Sequence, residues 1–149
     1  MNIVDKLVIK RAHMALYAAL AFGLWQFSWI GKDLFQNSPG NIKTFFEISY
    51  ILGSAGWAIW AFWFWKLDRS IRKSGVCLAL NDELTNHNRL NAFKSGYFLL
   101  IFGLIVLIPA VNNFSVNPIY GIRAVATLGI IIPFILFALS EIKDDQGAD

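Results

Sequence analysis

Glu47 and Arg123 are the two ionisable residues whose positions point most directly to chemistry. Each lies about one turn inside the end of a long apolar segment, at the same expected depth. A lone charge in lipid costs about 2.5–3.5 kcal/mol at the centre of a helix and less near the interface. Pairing would stabilise both side chains and would join the two segments that carry them.

Three uncharged polar residues extend this pair into a predicted binding cluster: Tyr50, Asn112 and Asn113. One interpretation is a site for a ligand or a proton. The other is a structural clamp, or two long side chains that reach interfacial water. The second interpretation is favoured, because shallow charges reach water at little cost.

Glu83 and His87 have the i, i+4 spacing at which two metal ligands converge on one helix face. A closed structural zinc site needs four ligands, and only Asp82 and Asn86 stand nearby in the sequence. The expected role is therefore a solvated polar helix face. We predict neither a metal site nor a cofactor.

The remaining reactive residues do not form a catalytic set. His13 and His87 fall on the same expected side, so a bis-histidine haem stack across a bundle is not available. Cys77 is the single cysteine, which excludes a thiol pair for redox work. No serine–histidine–acid set shares a depth, as an intramembrane protease would need. We predict that the protein is not an enzyme.

Four runs without charged side chains predict the elements that position these residues. The runs are 17 to 20 residues long, and a helix needs about 20 residues to cross a hydrocarbon core. They are apolar on all sides, unlike the helices of a soluble bundle. We predict an all-α polytopic membrane protein with four transmembrane helices in an antiparallel bundle. One membrane domain would cover 1–149, with spans at 13–31, 44–65, 94–114 and 119–140 and a cytoplasmic loop at 66–93.

The distribution of basic residues predicts the orientation. Ten of the 13 lysines and arginines precede the first span, lie between spans two and three, or follow span four. Only Lys32, Lys43 and Arg123 fall on the other side. Since cytoplasmic flanks carry an excess of basic residues, we predict that both termini are cytoplasmic. No basic stripe lies outside these flanks, so no nucleic-acid partner is expected.

Local patterns add details to the spans. The tryptophans of span two (Trp57, Trp60, Trp63 and Trp65) predict an interfacial belt, although Trp57 lies deep for that role. The small residues Gly53–Gly56 allow close helix approach, within the chain or between copies. Span three is expected to extend about two to three turns into the cytoplasm. Asn117 and Pro118 are expected to start span four as cap and first helical residue.

The segment Leu80-Asn81-Asp82-Glu83-Leu84-Thr85, with Arg89, Ala92-Phe93 and Gly96-Tyr97 after it, carries a resemblance. It resembles a segment of small four-span bacterial inner-membrane proteins and covers about a fifth of the chain. The resemblance implies a multi-pass protein of the bacterial inner membrane. It implies no activity.

We therefore expect a non-enzymatic accessory or scaffolding subunit of the inner membrane. Its expected partners are the lipid bilayer and either a second copy or another membrane protein. The alternative function is a small transporter or channel-like protein with Glu47 and Arg123 as an outer polar site. An immunity-type protein that blocks a toxin fits the size and topology, but no residue supports that function.

Overall fold

Four long α-helices make up the described part of the chain. The computed structural model describes the backbone of residues 3–74, 83–114 and 117–146, and the side chains of 6–72, 84–114 and 117–143. The helices are α1 (Ile3–Leu34), α2 (Gly40–Ser74), α3 (Glu83–Phe114) and α4 (Pro118–Gln146). Each is long and apolar enough to cross a membrane. The predicted all-α class and the number of apolar helices are confirmed.

The helices pack in the order α2, α1, α4, α3. In the described parts of the chain, α1 lies between α2 and α4, and α3 packs on α4 alone. Within the described residues, no Cα atom of α2 lies within 8 Å of one in α3 or α4. The bundle is therefore open, with α2 and α3 as its two edge helices. We call the space between these two helices the α2/α3 seam.

Neighbouring helices run antiparallel. Between α1 and α4, Arg11 meets Glu141 at one end, and Gly23 faces Ile131 further along. One end of the bundle holds the starts of α1 and α3 and the ends of α2 and α4. We call it the basic end, because ten of the 13 basic residues lie on that side in the sequence.

Small residues let α1 approach α4 closely. Ala12, Ala15, Ala19 and Gly23 recur every three or four residues and are all buried, so they form one stripe along the helix. Ala12 and Ala15 form a core cluster with Ala138 of α4. Close backbone approach of this kind is the usual basis of helix packing in lipid.

The small residues of α2 pack against α1 within the same chain. A Cβ atom at Gly53 would lie 2.5 Å from the backbone nitrogen of Trp25, whereas one at Gly56 would lie 3.5 Å from the Cβ of Ala21. Only Gly53 therefore requires the absence of a side chain. Of the two uses that the sequence allowed for this stretch, the structure shows the one within the chain.

The segment predicted as a loop at 66–93 is largely helical. α2 continues to Ser74 and α3 begins at Glu83. Leu67 and Ile71, one turn apart, pack with Met14 of α1, which explains why α2 continues beyond its apolar run. The early start of α3 confirms the predicted extension of that helix.

The start of α4 matches the sequence prediction. The backbone nitrogen of Ile119 donates a hydrogen bond to Oδ1 of Asn117 at 3.0 Å, and Pro118 is the first helical residue. Asn117 is thus the N-cap. α1 runs without interruption from Ile3 to Leu34, so the first helix begins well before the predicted span at 13–31.

Candidate functional site

A buried carboxylate lies at the basic end of the bundle. Glu141, near the end of α4, is 3% exposed. Its Oε2 accepts a hydrogen bond from a terminal guanidinium nitrogen of Arg11 on α1 at 3.0 Å, and the two groups form an ion pair. A buried carboxylate is costly unless it is paired and hydrogen-bonded, and Arg11 provides the opposite charge.

α3 supplies two further donors to the same carboxylate. The hydroxyl of Thr85 donates to Oε2 at 3.4 Å, and the amide of Asn88 donates to Oε1 at 3.2 Å. Thr85 and Asn88 are three residues apart and therefore share one helix face. Glu141 thus connects α1, α3 and α4. We call Arg11, Thr85, Asn88 and Glu141 the inner network.

The inner network borders a cavity of about 460 Å³ at the basic end. All four helices contribute to its wall, and most of the lining is apolar or aromatic. Its polar and charged residues come from α1, α2 and α3. The lining residues are Arg11, Ala15, Phe64, Leu67, Asp68, Ile71, Arg72, Thr85, Arg89, Phe93, Pro133, Phe134 and Phe137.

Two of the arginines in the cavity wall are held by residues of their own helix. Nε of Arg72 donates to Oδ2 of Asp68 at 2.9 Å, an i, i+4 ion pair. A terminal nitrogen of Arg89 donates to the amide oxygen of Asn86 at 2.7 Å. Arg72 and Arg89 are exposed, so their guanidinium groups remain accessible.

The structure does not bring Glu47 and Arg123 together. α1 lies between the helices that carry them. Instead, the guanidinium of Arg123 stacks on Trp29 of α1, 3.3 Å from the ring centroid. Among the described residues, Glu47 has no ion-pair or hydrogen-bond partner. The expected clamp between α2 and α4 is not formed, and a binding role for either residue remains a prediction.

The other residues of the predicted outer cluster do not gather at one point. Tyr50 packs edge-on against Trp29, with 6.1 Å between the ring centroids, and Arg123 stacks on the same Trp29 ring. Asn112 and Asn113 lie exposed in the last turn of α3. Arg123 therefore has an aromatic environment, in which a cation gains about 0.5–2 kcal/mol from the ring.

The deepest tryptophan of α2 belongs to a packing cluster. Trp57 lies 5.7 Å from Trp25 and 6.2 Å from Phe22, ring centroid to ring centroid. Trp60 stacks on Tyr17 at 5.0 Å. Both tryptophans therefore pack α2 against α1. The predicted interfacial belt does not account for this role. Trp63 and Trp65 are exposed near the basic end, as a belt requires.

The histidines are engaged in local hydrogen bonds. Nε2 of His87 bonds to the amide nitrogen of Asn91 at 2.8 Å, and Nδ1 of His13 bonds to the carbonyl oxygen of Ile9 at 3.0 Å. The side chain of Glu83 lies outside the described residues, as does the whole of Asp82. Both interactions of the histidines fit a structural role.

Sequence reasoning missed the inner network because it counted Arg11 only as part of the basic flank. Two signals were available. Glu141 directly follows the charge-free run of α4, and Arg11 lies three residues before that of α1. In antiparallel helices these two positions fall at one level. The partners on α3 gave no such signal, because Thr85 and Asn88 are ordinary residues of a polar helix start.

Comparison of the chain with protein-family models, with curated proteins and with solved structures finds no match in any of the three.

Proposed function

We propose that this protein is a non-enzymatic accessory or scaffolding subunit of a bacterial inner membrane. It spans the bilayer four times, and its basic end faces the cytoplasm with both termini. The excess of basic residues at that end supports this orientation. The four apolar helices support insertion. The polar groups at the basic end hold helices together, which suits a structural role.

The exposed outer surface of α3 is the observation that carries the scaffolding proposal. None of the residues in the most apolar 18-residue window of α3 is buried in the described structure. Large side chains cover the surface away from α4, and each is more than half exposed. They are Leu90, Tyr97, Phe98, Phe102, Ile105 and Ile108. We call these six residues the α3 outer face.

The chemistry of this face supports a proposal for the kind of partner. Two small residues of α3 already pack against α4: Gly96 contacts Pro133, and Gly103 contacts Val125. Two copies of the α3 outer face would therefore place large side chains against each other. A better match is a transmembrane helix of another protein with a stripe of small residues, because such helices allow close packing in lipid. Aromatic residues are also enriched at protein interfaces.

Photo-crosslinking in native membranes tests this proposal. A benzoylphenylalanine at position 102, on the α3 outer face, should crosslink to one defined membrane protein. The matched control is the same residue at position 62 of α2, where Phe62 is also highly exposed. It should give only lipid adducts. The crosslinked protein should co-purify stoichiometrically in mild detergent, and Phe98→Ala with Phe102→Ala should release it.

A clean monomer in mild detergent, with only lipid adducts at both positions, would contradict the scaffolding proposal. A crosslink between two copies of the chain would show that the α3 outer face binds a second copy and not another protein. The transporter alternative has weaker support, because Glu47 and Arg123 belong to helices that do not pack together.

A further inference from the structure

The cavity at the basic end plays no part in the scaffolding proposal. We propose that it binds one anionic phospholipid of the surrounding bilayer. The phosphate lies at the arginines of the cavity wall, and the first part of one acyl chain lies along the phenylalanines. This inference goes beyond the proposed function and does not depend on it.

The charge of the cavity favours an anion. Among the described residues, Arg11, Arg72 and Arg89 line it, against a single carboxylate, Asp68. Glu141 offsets Arg11, and Asp68 offsets Arg72. One positive charge is left over among these five groups. Clefts with an excess of one sign attract the opposite charge, most strongly where their walls are apolar.

Arg72 and Arg89 present the groups that bind a phosphate. The salt bridge of Arg72 uses Nε, and 73% of its side chain is exposed, so its terminal nitrogens can reach a ligand. Arg89 bonds to a neutral amide oxygen of Asn86, and no carboxylate among the described residues pairs with it. The planar guanidinium can hold a phosphate through two parallel hydrogen bonds.

The deeper part of the cavity is suited to an acyl chain. Phe64 of α2, Phe93 of α3 and Phe134 of α4 line it together with Pro133. Pro133 precedes Glu141 by two helical turns, so this wall extends roughly 12 Å along α4 from the inner network. A charged rim above an apolar wall matches an amphiphile with an anionic head.

The α2/α3 seam is the route by which a lipid enters the cavity from the bilayer. α2 and α3 both line the cavity, yet none of their described Cα atoms lie within 8 Å of each other. The cavity of about 460 Å³ falls in the range of ligand pockets, about 300–1,000 Å³. It is smaller than a whole phospholipid, so the remaining chain length stays in the bilayer. Basic pockets between membrane helices are known sites for anionic headgroups.

Lipid titration followed by native mass spectrometry tests the inference on the full chain in mild detergent. The probes are dioleoyl-phosphatidylglycerol, dioleoyl-phosphatidylcholine and glycerol 3-phosphate. We expect one tightly bound phosphatidylglycerol per chain, with weaker binding of phosphatidylcholine. Arg72→Gln with Arg89→Gln should weaken phosphatidylglycerol binding roughly 10- to 30-fold, from the loss of two charged contacts near the interface.

Lys66→Gln with Arg69→Gln is the matched control. It removes the same charge from the same end, but these side chains lie over Trp63 and Trp65, outside the cavity wall. It should change binding by no more than about twofold. An equal loss in both double variants, or no preference for phosphatidylglycerol, would overturn the inference.

Two further readouts locate the lipid and identify its source. A phosphatidylglycerol with a diazirine near the start of its acyl chain should label the peptides that contain Phe64 and Phe93. Labelling elsewhere only would overturn the site. Glycerol 3-phosphate, which lacks acyl chains, should not displace the lipid at comparable concentration. Efficient displacement would show a soluble-anion site and would contradict the lipid as occupant.

Discussion

Two glutamates at opposite ends of the bundle differ in their surroundings. Glu141 is buried and accepts hydrogen bonds from Arg11, Thr85 and Asn88. Glu47 is half-buried and has no such partners among the described residues. Removing one partner of a buried ion pair leaves the other charge uncompensated, and this is the main cost of breaking such a pair. The inner network, not the outer end, should therefore carry most of the electrostatic stabilisation.

The substitutions Glu141→Gln and Glu47→Gln provide a matched test at the residue scale. Glu141→Gln keeps only one oxygen, which can accept from either Thr85 or Asn88, and it leaves Arg11 without its counter-charge. It should lower the free energy of unfolding by about 2–4 kcal/mol. Glu47→Gln should change it by less than about 0.5 kcal/mol. Denaturation in mixed micelles, followed by tryptophan fluorescence, measures both. Equal effects at the two positions would contradict the role given to the inner network.

Glycine at one position of α2 sets the distance between α2 and α1. A side chain at Gly53 would meet the backbone of Trp25, and backbone atoms cannot move aside as a flexible side chain can. At Gly56 the nearest atom is the Cβ of Ala21 at ordinary contact distance. The two glycines are three residues apart in one helix, so their depths differ by less than one turn. The main difference between them is therefore their packing against α1.

At the element scale we predict opposite effects for Gly53→Ala and Gly56→Ala. Gly53→Ala should push α1 and α2 apart and cost about 1–3 kcal/mol, as overpacking does. Gly56→Ala should be neutral or stabilise by up to about 1 kcal/mol through helix propensity. Thermal unfolding in detergent measures both variants. A destabilised Gly56→Ala with a tolerated Gly53→Ala would show that α2 packs on α1 through another face.

The sequence was sufficient to predict where the helices lie along the chain, but not which helices pack against each other. Charge-free runs identify apolar helices by length alone, and Asn117 with Pro118 identifies the start of α4. Neither says which helix lies beside which. The expected contact between α2 and α4 rested on Glu47 and Arg123 sharing a depth, and two charges at one depth need not share an interface. In the structure the small residues of α1 from Ala12 to Gly23 face α4, but their spacing alone does not say which helix they contact.

The open order α2, α1, α4, α3 determines which surfaces of the whole molecule are accessible to lipids and to other proteins. It makes α3 an edge helix with a large apolar face, and it leaves the cavity at the basic end accessible through the α2/α3 seam. A closed square bundle would pack α2 on α3 and would remove that access. Both the scaffolding proposal and the lipid site therefore depend on this order.

Disulfide crosslinking in membranes tests the helix order most directly. In a Cys77→Ser background, Ala12→Cys with Ala138→Cys should oxidise readily, because these residues pack together between α1 and α4. Phe64→Cys with Phe93→Cys should remain reduced, because Cα atoms more than about 7 Å apart cannot be bridged without backbone movement. A longer bis-maleimide should join that second pair through the cavity. A rapid disulfide between positions 64 and 93, with none between 12 and 138, would contradict the open bundle.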